Sequence, residues 1–421
     1  DLVELEPDPE ESGVSIAVSL ILALCVAGWL YGKAVPKNVT EGEADLKAFG
    51  SLPIVYEGRT KPFDTLARNS LRVLSTRTTF ITEVEVKDRD GKVVKDDDGE
   101  PKMKDVKKPA ILWLLDVMSD PEVAGKHKVF RIDNPQVQKT LGLERRKGFM
   151  YSLEEFYQKI PDLAKEAQVA RDKEEGKRSA DERKLLELEG KLGVLDILMN
   201  SFSPPNVPEV PQGQDPMAIQ QFFMNLQRVK QGLDRFDGRQ PPLSVPPVSV
   251  EHSDEEEAIL ASDEWQTFSR GWFNSYLQVN IQGKDPNEPV KLFTEILVAH
   301  SRGEAADFNE KVAEYRRWLD RNGPEELSLE KTSFETYFNE FAPAYYSAFS
   351  YLFAFIFAAI ALLGWSKPLN RAALLTIIAT FFIHSFALLA RMEISGRPPV
   401  TNLYSSAVFI GWGGVLMGIV F

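Results

Sequence analysis

The chain has 421 residues, with 49 Lys and Arg against 62 Asp and Glu, for a formal net charge of −13. That length suits two or three domains, and that charge argues against a nucleic-acid partner, because nothing in it offsets phosphate repulsion. The one cysteine, Cys25, rules out a disulfide framework and a thiolate metal cluster, and the four histidines are too widely spaced for a local two-histidine metal motif.

Residues 1–13 (DLVELEPDPEESG) form an acidic segment. The apolar run that follows, 14–31, approaches the about 20 residues a helix needs to cross the hydrocarbon core, so 14–32 is read as a transmembrane helix. No positive segment precedes it, which argues against a secretory signal. The chain starts at Asp1 rather than at Met and stops inside an apolar run, so it reads as a piece of something longer.

Residues 33–343 read as one soluble domain in three parts. The first, 46–151, is mixed α/β. Leu52 to Tyr56 suits a strand and Glu57-Gly58 a turn; Asp64 is a candidate N-cap for a helix with apolar Leu66, Leu71 and Leu74. Arg59, Lys61, Arg68, Arg72 and Arg77 make this stretch locally basic, either as a solvated face or as a surface that meets an acidic group. Residues 78–106 alternate around Asp90-Gly91 and Asp98-Gly99, as one or two β-hairpins would. Residues 109–118 read as a short amphipathic helix.

The second part, 152–202, carries two capping-box patterns, Ser152 with Glu155 and Ser179 with Glu182. They are expected to open helices near 153–173 and 180–202, folded as a helical hairpin. Leu185, Leu186, Leu188, Leu192, Leu195 and Leu198 suit packing on a partner helix. The third part, 203–343, holds proline-rich loops at 203–216 and 240–250 and helices at 216–236, 264–277, 288–300 and 304–321, and 333–341 then leads into the next span.

Residues 344–421 carry three further spans, 345–365, 372–390 and 405–421, the last truncated at Phe421. The loop between the first two, SKPLNRAA, holds Lys367 and Arg371 and no acid, so it is assigned to the cytoplasm by the positive-inside rule. The soluble domain and the loop 391–404 then fall outside the cytoplasm. Lys33 and Lys37, beside the first span, vote the other way. The fold class expected is mainly α: integral membrane helices plus a large α-rich extracytoplasmic domain with a small β-hairpin element.

No GxSxG, Walker or HExxH pattern occurs. His127, His252 and His300 sit in polar settings and are read as ordinary. His384 differs, because an ionisable group inside a span is costly and usually faces a cavity, a partner or a ligand. At 1.5 Å per residue it lies roughly 10 Å below Arg391, two turns away on a similar face. It is either a haem-facing or proton-handling group or a hydrogen-bonding partner of a neighbouring span. In GRPPVTNLY, Pro398 and Pro399 forbid helix, and Thr401 or Asn402 can cap the next span. Arg397 on this stiff loop can grip a carboxylate bidentately, and Tyr404 suits the interfacial belt; the alternative is a plain turn between spans.

SGRPPVTNLYSSAVFIGWG, residues 395–413, resembles the entry to the haem-handling domain of the cytochrome c assembly family, CcsA/ResC type. Gly396, Arg397, Pro399, Thr401, Asn402 and Tyr404 fit its pattern, and Ser405 stands where the family often has glutamate. EGRTKPFDTLARNSLRVLS and TYFNEFAPAYYSAFSYLFAF resemble segments of large fused proteins in which a ResB-like part precedes the CcsA-like part. The resemblance implies part of a system II cytochrome c synthase, with haem lyase activity in the complete protein, in a bacterial cytoplasmic membrane. Haem is the implied cofactor; apocytochrome c, the lipid bilayer and a ResB-like segment or subunit are the implied partners. The tryptophan-rich haem motif and the axial histidines of that family have no counterpart here. His384, Arg391, Arg397, Asn402 and Tyr404 are therefore assigned only to the surroundings of a haem pocket, with no catalytic residue and no metal ligand named. The alternative reading is a non-catalytic, membrane-anchored interaction or scaffold protein.

Overall fold

The computed structural model describes residues 13–36, 40, 42–86, 88, 92–95, 99–211, 213, 215–247, 264–364 and 366–421. His252, the Asp90-Gly91 turn and the acidic runs at 96–98 and 254–257 lie outside the described residues, as do 1–12. Among the described residues the fold is mainly helical, with a few short strands and four helices long and apolar enough to cross a membrane. The chain divides into two compact units: residues 1–38 with 337–421, and residues 39–336.

The first unit opens with α1 (Gly13–Ala34). In the second, α2 (Leu46–Gly50) leads to β1 (Pro53–Tyr56) and β2 (Arg59–Pro62), an antiparallel hairpin whose ends pair Pro53 with Pro62 and Tyr56 with Arg59. Its two-residue turn, Glu57-Gly58, has φ of 53° and 76°. Positive φ at both central residues is the turn whose twist matches paired strands, and it is why glycine follows Glu57. α3 (Phe63–Ser75) begins directly after Pro62, two residues earlier than a cap at Asp64 would allow. Asp64 instead sits buried in the first turn and accepts from Arg68 Nε at 2.7 Å. A carboxylate there meets the positive end of the helix and a cation one turn on.

β3 (Thr79–Glu85) and β4 (Met103–Pro109) form a second antiparallel pair. α4 (Ala110–Ser119) follows with no loop. It is not amphipathic: Ala110, Ile111, Trp113, Leu114, Leu115, Asp116, Val117 and Met118 are all buried, which makes it a central helix of the unit. α5 (Pro121–Lys126), β5 (Phe130–Arg131), α6 (Pro135–Leu141) and β6 (Met150–Tyr151) come next, with β5 and β6 paired antiparallel.

The Ser152 box forms in part, with Ser152 N donating to Glu155 at 2.7 Å, but no α-helix starts there. Phe156 turns into the core, and α7 (Ile160–Arg171) begins only after a single 3₁₀ turn. The Ser179 box is complete and opens α8 (Ala180–Phe202), which packs on α7 as the expected hairpin. Leu185, Leu188, Leu195 and Leu198 are buried along it. α9 (Pro216–Asp237), α10 (Phe268–Asn280), α11 (Glu288–Ser301), α12 (Ala305–Asn322) and α13 (Leu329–Phe341) complete the series. The core is aromatic at its centre: Phe293 packs against Phe49, Phe63, Phe202, Phe268 and Tyr315. Truncating a buried phenylalanine of this kind costs about 3–5 kcal/mol.

The first unit resumes at Tyr337, within α13, and continues with α14 (Pro343–Ala361), α15 (Ser366–Ser395) and α16 (Leu403–Val420). Ala342, with φ of 47°, breaks the helix before Pro343. α15 packs on α14 and α1 through small and hydroxyl residues: Ser19, Ser347, Ser350, Thr376 and Thr380 are all buried. Such residues allow the close backbone approach on which helix association in lipid depends.

Candidate functional site

His384 lies on α15 at 8% exposure. Its Nδ1 is 3.4 Å from Tyr351 Oη on α14, and the backbone of Val408 on α16 lies close to its ring. The imidazole thus links α15 to α14, a contact of the kind that one of the two readings of this residue describes. One turn along α16, Trp412 donates its indole N–H to Ser385 Oγ at 2.8 Å and stacks between Phe381 and Phe409. The result is an aromatic wall beside His384, with tyrosine on one flank and tryptophan on the other.

The loop after α15 follows from its sequence. Gly396 takes φ of 62°, a left-handed conformation that ends the helix without steric cost. Asn402, not Thr401, caps α16: its Oδ1 accepts from Ser405 N at 2.8 Å, and Ser405 Oγ accepts from Asn402 N at 3.0 Å. Ser405 therefore performs with its hydroxyl the reciprocal bond that a glutamate usually supplies in a capping box. Arg391, Arg397, Asn402 and Tyr404 are exposed, and His384 is buried. Arg391 shares α15 with His384 and is exposed.

The basic stretch resolves mainly into internal pairs. Arg59 donates two bonds to Glu335, at 2.7 and 2.8 Å, and Thr65 adds a third at 2.7 Å. Lys61, buried, pairs with Glu57 at 2.8 Å and lies over the Tyr56 ring. Arg68 holds Asp64. Arg72 and Arg77 remain exposed.

Sequence missed one cluster in the large unit. Asp116, on α4, accepts from His127 Nε2 at 2.7 Å through one oxygen and from His300 Nε2 at 2.9 Å through the other. All three side chains are nearly buried, at 11–13% exposure. Phe80 packs on the His127 ring at 4.6 Å between centroids, and Phe308 lies beside His300. Burial alone would raise the Asp116 carboxyl; hydrogen bonds and charges from both histidines outweigh it and hold it below the ordinary carboxylate value. An ionised carboxylate only accepts, so each Nε2 carries the proton. The signal available in sequence was a lone aspartate inside an apolar helix, Ala110 to Met118. Among the described residues, no group of three or more His, Cys, Asp or Glu is arranged to hold a metal ion.

No protein-family model, no curated protein and no solved structure matches this chain.

Proposed function

We propose that this chain is part of a membrane cytochrome c synthase, which handles haem and supports its covalent attachment to apocytochrome c on the outer side of a bacterial cytoplasmic membrane. The observation that carries the reading is the capped, proline-stiffened turn 396–402 between two membrane-length helices, following a helix that buries His384 beside Tyr351. An intramembrane histidine is costly unless it has work to do, and an exposed arginine on a rigid turn suits a propionate. His384, Arg391, Arg397, Asn402 and Tyr404 would surround the porphyrin rather than ligate its iron. The unit 39–336 would lie outside the cytoplasm and guide apocytochrome c or brace the membrane part against a ResB-like segment. Haem supplies the vinyl groups that form thioethers; this chain's contribution is to bind, orient and shield.

A second reading is favoured by one observation: the His384 ring is already engaged by Tyr351. On that reading the spans only anchor a non-catalytic extracytoplasmic scaffold.

Purification of the complete protein decides between them. Haem that co-purifies, together with loss of cytochrome c maturation when the gene is deleted, supports synthase function. A haem-free complete protein, with normal maturation in its absence, overturns it.

A further inference from the structure

α11 and α12 run antiparallel, and at the open end of this hairpin, opposite its connecting turn, lies a cleft of about 220 Å³. Buried Leu292 and half-buried Trp318 give it an apolar lining. Arg317 and Arg321 line it from α12, one helical turn apart and therefore on one face. Neither guanidinium has an ion-pair partner among the described residues; Arg317 engages only through Nε, on the Ala313 carbonyl at 3.3 Å. Glu288, Glu314 and Asn322 complete the lining, with Glu314 held by Lys311 at 3.1 Å and Glu288 facing Lys291 at 3.7 Å.

We propose that this cleft docks a short peptide segment in which an aspartate or glutamate adjoins an aliphatic side chain. The arginine pair presents two planar forks to a carboxylate. The indole and Leu292 cover the aliphatic group, and the two glutamates accept from peptide N–H groups. The volume is below the roughly 300–1,000 Å³ of pockets for drug-sized ligands, so one or two side chains fill it. The proposal is independent of the haem reading, because it uses no residue of the membrane helices.

The test uses the full chain in detergent and the capped tetrapeptide acetyl-Gly-Asp-Leu-Gly-amide, with its Asn counterpart as control, followed by calorimetry or NMR. Saturable binding below about 10 mM is expected for the Asp peptide, weakened about tenfold or more in the Asn peptide and in the Arg317→Gln/Arg321→Gln double variant. Both arginines are exposed, so the variant keeps its fold, and Arg302→Gln, outside the cleft, leaves binding unchanged. No saturable binding, equal binding of the Asn peptide, or unaltered binding by the double variant overturns the proposal. Full competition by inorganic phosphate at equal concentration also overturns it, in favour of a general anion site.

Discussion

Arg59 and Glu335 meet in a two-bond ion pair across 276 positions of sequence, joining the turn-side end of β2 to α13. Glu335 is 5% exposed and has Thr65 as a third partner, so its carboxylate is fully committed where it lies. Removing the arginine leaves a buried charge without a counter-ion, which is the costly way to break such a pair. Arg59→Ala is expected to destabilise the chain by about 3 kcal/mol, seen as a lower denaturant midpoint. Replacing both partners by apolar residues, Arg59→Met with Glu335→Leu, is expected to recover most of that loss. A single variant as stable as the parent would show that the pair contributes nothing.

Asp116 predicts a pH dependence with a defined sign. Its folded-state carboxyl is held below the ordinary value, so its contribution to stability is present above the unfolded carboxylate range, near pH 4, and is lost as pH falls through the lower folded value. Asp116→Asn removes an ionised acceptor from both histidines and is expected to cost about 1–3 kcal/mol at pH 7. The gap between parent and variant should narrow below about pH 4. A gap that stays constant down to pH 2 would contradict the ionised-acceptor account.

What sequence could and could not show follows from the range of each interaction. Membrane-length helices were legible because bilayer thickness sets a length that apolar runs must meet. The Ser179 box was legible because its partners are three residues apart. Asp64 was misassigned because Pro62 already starts the helix, leaving the aspartate inside the first turn. α4 looked amphipathic because Asp116 marked a polar face. That face is filled by His127 and His300, 11 and 184 positions away, and no local pattern reports such a meeting. The same reason hid the pairing of Arg59. In the membrane helices, sequence singled out His384 and narrowed the cap to Thr401 or Asn402, but did not show Tyr351 or the Trp412–Ser385 bond, which depend on how the helices pack.

The cap of α16 makes a contrasting pair of expectations. Asn402→Ala leaves the first-turn N–H groups unsatisfied and should cost about 1 kcal/mol of thermal stability in detergent. Ser405→Glu should be neutral, because a longer acceptor at the same position closes the same box. Equal losses from both variants would mean that Ser405 matters through burial rather than through the reciprocal bond.

Sidedness can be read with a single cysteine. In a Cys25→Ser background, Val400→Cys places a thiol on the exposed turn before α16. A membrane-impermeant thiol reagent should label it in intact cells if the turn faces outward, as the basic loop at Lys367 and Arg371 implies. Labelling only after permeabilisation would put the turn in the cytoplasm.

Cytochrome c maturation in cells whose only copy of the complete protein carries His384→Ala or Arg397→Ala tests the haem-handling claim most directly, with protein level checked in the membrane fraction. Synthase function predicts that each variant accumulates in the membrane yet lowers holocytochrome c at least several-fold. Unchanged maturation with both variants at normal abundance would contradict it and leave the spans as an anchor.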